Sequence, residues 1–308
     1  MSNLPSCLSV SIILLDMSLF GLPSWILPHL FKNKKFQDLT SQEIAALKNS
    51  ISRFKADKPD VSVVIPAWNE ENNIYRTLSS IAASSTRYKV ELVVINNNST
   101  DGTQQVLDTL GVINYMQREQ GTPFARQMGL ELAKGKYHLC ADSDTFYPPD
   151  WIDCMVEPMV KNSTVTGVYG NYAFIPPESQ GRFGLWVYEK MARVMIEVRK
   201  KNREYLNVYG FNMGFITQVG LANGGFKVSG SRVYANIVGS DYENEAEDGR
   251  MALNLKKTGD LKMVTSPKAT VYTSPRRLLD DGSITNAFIN RAKRQLKGMR
   301  DYLSIFLL

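Results

Sequence analysis

Four short apolar runs in order along residues 61–141, three of them followed by helical sequence, leave few folds open to this chain. Val61-Ser62-Val63-Val64-Ile65 is a β-branched run stopped by Pro66, with helical sequence over about 70–83. Residues 90–95 form a second run, ending in the polar turn Asn96-Asn97-Asn98-Ser99-Thr100-Asp101-Gly102 before a helix over 103–109. A third, weaker strand at 113–116 precedes a helix over 124–133 that Gly135 closes. The fourth run, 137–141, passes straight into Asp142-Ser143-Asp144. Strands alternating with helices predict an α/β fold, a mostly parallel sheet with helices on both faces. Ligands bind such sheets at the carboxyl ends of the strands, and those ends carry Asn69, Asn97 and Asp142-Ser143-Asp144.

Composition matters through its distribution. The 308 residues are 44% hydrophobic, which excludes a disordered chain, and only one stretch approaches spanning length, which excludes a polytopic membrane protein. The net charge of +6 divides into +4 over residues 32–58, −1 over 59–275 and +4 over 276–308, with Asp16 supplying the remaining −1. A nearly neutral body with basic flanks argues against nucleic acid as a partner and for a negatively charged membrane surface. Cys7, Cys140 and Cys154 are scattered and odd in number, which suggests no disulfide framework and a reducing compartment.

Both basic flanks adjoin apolar sequence. Residues 9–31 are long enough to enter a bilayer, but Asp16, Pro23 and Pro28 argue against a plain spanning helix. No Lys or Arg precedes this run, which argues against a secretory signal. The basic cluster after it places the rest on the cytoplasmic side of a membrane, peripheral or monotopic. A shallow, bent insertion and an arm packed on the protein's own body both fit. In 284–303, Ile284, Phe288, Ala292, Leu296, Met299 and Leu303 recur at helical spacing among basic residues, as in an interfacial or a core-packing helix. Over 183–205, Trp186, Val187, Met191, Val194, Met195 and Val198 make a third such stripe, expected to face the core.

Asp142 and Asp144 lie one residue apart at a strand end, where two carboxylates can share work on a divalent cation. Hard oxygen ligands suit Mg²⁺ or Mn²⁺, with phosphates and water completing the shell. A solvated turn would carry the same pair. Asp248 sits before a helix expected over 249–257, where an ordinary N-cap stands. Asp241, Glu243, Glu245 and Glu247 read as a solvated acidic loop, with Glu247 also placed to orient an acceptor. His29 and His138, in the apolar arm and mid-strand, read as structural.

Six segments in order and spacing resemble glycosyltransferase family 2. These are Val61 through Glu71; Asn96 through Thr103; Gly121-Thr122-Pro123-Phe124-Ala125-Arg126-Gln127 with Ala133-Lys134-Gly135-Lys136-Tyr137; Asp142-Ser143-Asp144; Gly224-Gly225-Phe226; and Glu247-Asp248. The resemblance covers about residues 60–275. It implies a GT-A (Rossmann-like) nucleotide-sugar domain fused to an acceptor part. Pro66, Asn69 and Glu70 would then sit at the nucleotide, with Asn97 at the base. Asp142 would face the ribose or metal, Asp144 the cation and Asp248 the acceptor hydroxyl as general base.

On that resemblance the chain divides into an apolar and basic arm, 1–58, a catalytic body, 59–275, and a basic amphipathic helix, 276–308. Within the body, 59–150 is the nucleotide-sugar part and 151–275 the acceptor part. The expected activity is an inverting, metal-dependent transfer from a nucleoside-diphosphate sugar, first of all a UDP-sugar, to a carbohydrate or lipid-linked acceptor. Two departures stand out: Asn96-Asn97 replaces the family's usual acids, and Val271-Tyr272-Thr273-Ser274 lacks the His many members carry there. Metal binding would then rest on Asp144, phosphates and water, or Arg276 or Arg277 would take phosphate charge. A non-catalytic nucleotide-sugar-binding protein of the same fold and a nucleotidyltransferase are the rival readings.

Overall fold

A computed structural model describes residues 21–177, 181–201, 203–227, 247–279 and 286. The chain divides into two compact units, one of Met1–Leu22, Ala173–Met195 and Thr273–Leu308, the other of Pro23–Tyr172 and Ile196–Tyr272. In chain order the elements begin α1 (Ser41–Ser52), β1 (Val61–Ala67), α2 (Ile74–Ala82), β2 (Val90–Asn96), α3 (Thr103–Leu110) and β3 (Ile113–Met116). Next come α4 (Thr122–Leu132), β4 (Tyr137–Cys140), β5 (Thr145–Phe146), α5 (Trp151–Lys161), β6 (Val165–Gly170) and β7 (Tyr172–Phe174). The order closes with α6 (Phe183–Lys200), β8 (Met213–Ile216), α7 (Thr217–Ala222), α8 (Glu247–Lys256), β9 (Asp260–Val264), β10 (Val271–Thr273) and α9 (Arg276–Leu279).

The larger unit is built on a seven-stranded sheet in the order β3-β2-β1-β4-β8-β6-β9. Its pairs are parallel except where β8 runs antiparallel between β4 and β6. Val63, Val64, Ile65, Val93 and Val94 are all buried, the pattern of strands covered on both faces. Strand order reverses between β1 and β4, so the crevice for a ligand opens at the carboxyl ends of those two strands. Helix α4 comes very close to the sheet: a Cβ on Gly129 would fall 2.3 Å from Val64 Cγ1. Gly135 has a different reason to be glycine, since a Cβ there would meet the backbone of Val61 and Ser62 at 2.6 Å.

Several boundaries differ from the sequence reading. Strand β1 continues through Pro66 to Ala67. Pairing with β4 ends at Val64 opposite Cys140, so a missing N–H at Pro66 costs no ladder bond on that side. Helix α2 starts at Ile74 instead of 70, because Asn69 takes a left-handed φ of 54° and residues 70–73 form a turn. Helix α8 starts at Glu247, so Asp248 lies inside its first turn and is not an N-cap. Glu247 is buried, against the solvated loop expected; Asp241, Glu243 and Glu245 lie outside the described residues.

The described part of the N-terminal arm, from Gly21, packs on the body. Ile26 is fully buried, His29 Nδ1 lies 2.8 Å from Ser79 Oγ, and the Phe31 ring stands edge-on to Tyr75 at 5.2 Å. Residues 9–20 and 287–308 lie outside the described residues. No helix among those described is long and apolar enough to cross a membrane. In the smaller unit, the Phe174 N–H and the Arg182 guanidinium both donate to Glu189 on α6, at 2.8 and 3.0–3.1 Å. The stripe on α6 expected to face the core is largely exposed, at Val187, Met191, Val194 and Val198.

Candidate active site

Two loops leaving adjacent strands are tied into one platform at the top of β1 and β2. Asn69 donates its N–H to Ser99 Oγ (3.0 Å) and accepts from the Thr100 N–H (2.8 Å). The Glu70 N–H reaches Thr103 Oγ1 at 2.8 Å, and its carboxylate accepts from Asn73. Asp101 accepts from the Glu71 N–H, and the Glu71 carboxylate accepts in turn from the Gly102 N–H. Asn97 is fully buried: Oδ1 accepts from the Gly121 N–H, while Nδ2 donates to the carbonyls of Gln117 and Glu119. Its side chain therefore shapes the 117–121 loop. Asn96 is also inward, bonded to Gln104 and to the Ser99 N–H.

The acids after β4 are held from below by α2. Thr77 donates to the Ser143 carbonyl (2.9 Å), and the Tyr147 N–H donates to Ser80 Oγ (3.1 Å). The Tyr147 hydroxyl accepts the Asp142 N–H (2.9 Å) and donates to the Phe211 carbonyl (3.0 Å). Asp142 and Asp144 are thus fixed by their backbone, leaving partly exposed carboxylates at the strand end.

One buried guanidinium links these acids to those of α8. Arg126 Nη2 contacts Asp142 Oδ1 at 2.7 Å and Nη1 donates to the Gly210 carbonyl at 3.1 Å. Its Nε stands 3.6 Å from Asp248 Oδ1 and 4.0 Å from Glu247 Oε1. At 3.6 Å the Nε–Oδ1 contact is an ion pair without a hydrogen bond, and neither atom has a hydrogen-bond partner among the described residues. The Phe226 ring, 5.9 Å from Arg126 Cζ, closes the far side. That ring is set by Gly224 and Gly225, whose φ values of 96° and 63° suit glycine, and by the Phe226 N–H donating to Gln127 Oε1.

Electrostatics follow from this burial. Desolvation pushes the Asp248 carboxyl up to about 6, against the pull of Arg126 and with the repulsion of Glu247. Burial alone would discharge Arg126, but Asp142 and Asp248 outweigh it and hold the guanidinium protonated above its ordinary value. Burial drives the Cys140 thiol up to about 12 and His138 down to about 3, so neither titrates near neutrality. His138 stacks on Phe215 at 4.8 Å, and His29 is likewise pushed down, to about 4, by burial; both are structural. The arrangement offers paired carboxylates at a strand end, an elevated carboxylate across from them, and a fixed cation between.

Within the 151–275 part expected to hold the acceptor, Tyr169, Asn212 and Met213 are core. Tyr172, Tyr209 and Phe211 form a cluster in which the Tyr209 and Phe211 rings lie 5.3 Å apart and 5° from parallel. Gly210, between those rings, is the residue that Arg126 and Asp248 approach. Arg126, Gly210, Tyr147 and Phe211 received no role in the sequence reading. Arg126 had a visible signal: it shares a helix face with Gly129 and Leu130, where a charged side chain has to be buried.

The model of the family named Glycosyl transferase family 2 matches residues 62–219, a stretch that includes Arg126 and stops before Gly224 and Asp248. The chain is 29% identical over 128 residues to glycosyltransferase GlyA of Streptococcus pneumoniae, covering 40% of this chain and 18% of that one. It is 31% identical over 112 residues to a putative teichuronic acid biosynthesis glycosyltransferase of Bacillus subtilis, TuaG, covering 34% and 44%. The chain thus spans less than half the length of either relative. Among solved structures, the mannosyltransferase PcManGT of Pyrobaculum calidifontis, in complex with GDP-Man and Mn²⁺, superposes with a TM-score of 0.50 at 18% identity, covering 81% of this chain and 70% of that one.

Proposed function

This chain belongs to glycosyltransferase family 2, and on that premise we propose that it transfers a sugar from a nucleoside-diphosphate sugar to a carbohydrate or lipid-linked acceptor, with inversion. The observation that carries the reading is Arg126, one buried cation joining Asp142 on the donor side to Asp248 on the other.

In this reading the platform of Pro66, Asn69 and Glu70 receives the nucleotide, and the loop shaped by Asn97 closes beside the base. Asp142, held by Arg126, faces the ribose. Asp142 and Asp144 supply hard oxygens, and no cluster of three or more metal-ligating side chains occurs among the described residues. That donor set fits a divalent ion, Mg²⁺ or Mn²⁺, whose shell is completed by phosphate and water, with Asp144 as the protein ligand. Such an ion would neutralise charge developing on the departing diphosphate. The superposed mannosyltransferase, with its GDP-Man and Mn²⁺, is consistent with that assignment. Asp248 takes the proton of the acceptor hydroxyl as it attacks. A carboxylate raised to about 6 is still ionised at neutral pH yet more basic than an ordinary one. Arg126 repels that proton from Asp248 Oδ1 and fixes the carboxylate's position, and the Tyr209–Phe211 pair offers flat faces for a sugar ring.

The two +4 flanks favour a membrane surface as a further partner, with the protein on the cytoplasmic side. The test of the catalytic reading is purified full chain against a panel of UDP- and GDP-sugars, with Mg²⁺ or Mn²⁺ and with chelator. Metal-dependent turnover of one donor, lost in Asp144→Ala and Asp248→Asn, is the result expected. Donor binding without turnover by the wild type would make it a non-catalytic sugar-nucleotide binder instead.

A further inference from the structure

Helix α6 has two apolar sides and needs only one for its own unit. Leu185 and Tyr188 are buried, along with Glu189, which is paired to Arg182. On the other side Phe183, Val187, Met191 and Val194 follow one another at spacings of four, four and three. They are 59, 36, 45 and 64% exposed. Trp186 borders this stripe, with Lys190 Nζ 5.3 Å from its ring, and Arg193 is exposed beside it. Glu189 is the only acid between 183 and 194, and it faces inward, so over that stretch the exposed side carries cations alone; one turn further, Glu197 is exposed and its charge is paired with Lys200 at 2.6 Å. Beyond Met195-Ile196-Glu197 the sequence continues Val198-Arg199-Lys200-Lys201.

We infer that α6 rests on an anionic lipid surface through this side. The apolar stripe lies below the headgroups, Trp186 at their level, and Lys190 and Arg193 on their phosphates. Charge decides the occupant: a second copy docking through the same patch by a two-fold axis would set Lys190 and Arg193 close to their own equivalents. An anionic surface neutralises them, each well-placed cation adding to binding. The inference rests on the membrane reading above but locates the contact on a different element from the two flanks.

The test uses full-length protein and vesicles of phosphatidylcholine alone or mixed with phosphatidylserine. Wild type should bind the mixed vesicles preferentially. The double variants Val187→Gln with Val194→Gln, and Lys190→Gln with Arg193→Gln, should each bind them about tenfold more weakly, with unchanged melting temperature because all four side chains are exposed. Brominated acyl chains should quench tryptophan emission in wild type and much less in Trp186→Phe. Equal binding by wild type and both variants overturns the α6 contact and leaves the flanks as the anchor. Equal affinity for both vesicle types overturns the anionic partner. A dimer in solution that the valine variant dissolves while still binding vesicles makes the stripe an interface between copies. Wild type that binds neither vesicle overturns the membrane reading itself, while leaving the sugar-transfer assay to stand or fall alone.

Discussion

A carboxylate that accepts a proton from a sugar hydroxyl has to be ionised at rest and still basic, and Asp248 is placed between those demands by burial and Arg126. Turnover should fall as pH drops through about 6, where the carboxyl protonates, giving kcat/KM an acidic limb that Asp248→Asn removes along with about 10²–10⁴ of the rate. The linkage runs the other way for stability. The folded value lies above the ordinary carboxylate value of 3.8, so this group's contribution is most favourable below about 4 and is lost as pH rises to about 6. Asp248→Asn should therefore be more stable than wild type at pH 7, by up to about 3 kcal/mol in urea unfolding. Arg126→Met should do the opposite. It strips Asp142, Glu247 and Asp248 of their shared cation, and the expected loss is about 3–5 kcal/mol. A variant as stable as wild type would show that these acids are neutral in the resting protein, and the pH profile would then lack its limb.

Elements were legible where a single physical signal dominates. Strands β1, β2 and β4 announce themselves by β-branched runs buried on both faces, and their polar ends lie side by side at one edge of the sheet. Boundaries moved where a side chain competes with the backbone: Asn69, bonded to the next loop, delays α2 by four residues. The site's second half was less legible because its members make contacts across long sequence distances. Gly210 is 84 residues from Arg126, and nothing local in Tyr209-Gly210-Phe211 reports that a guanidinium lies against it. Glu247 looked solvated because it ends a run of alternating acids, yet the helix turns it toward Arg126. Close approach yields an element-scale prediction. A Cβ on Gly210 would stand 2.2 Å from Arg126 Nη2 and 2.4 Å from Asp248 Oδ1. Gly210→Ala should therefore lower kcat at least about tenfold by displacing both groups, and cost about 1–3 kcal/mol in urea. Gly181→Ala, with open space around its Cβ, should change neither.

At the scale of the molecule, the GT-A arrangement read from the sequence is the one the chain adopts, and the residues proposed for its site all belong to one unit. Pro66, Asn69, Glu70, Asn97, Arg126, Asp142, Asp144 and Asp248 fall within Pro23–Tyr172 and Ile196–Tyr272, whereas the α6 stripe from Phe183 to Val194 falls in the other unit. Donor binding and surface binding should therefore be separable by ligand. A nucleoside-diphosphate sugar at a hundred times its Kd adds about 2.7 kcal/mol to the state that binds it, a rise of roughly 5–10 °C in melting temperature. With Mn²⁺ present that shift should appear, and chelator should abolish most of it, since in the proposed reading Asp144 would reach the sugar's phosphates only through a bound ion. Hydrogen exchange places the effect: protection should rise over 61–71, 96–103 and 137–147, and stay flat over 183–194. Vesicles should give the converse pattern, slowing exchange on α6 and leaving the strand ends unchanged. Donor-induced protection on α6 equal to that at the strand ends would mean that the two units respond as one body, and that occupancy of the sugar-nucleotide site alters the surface the helix presents.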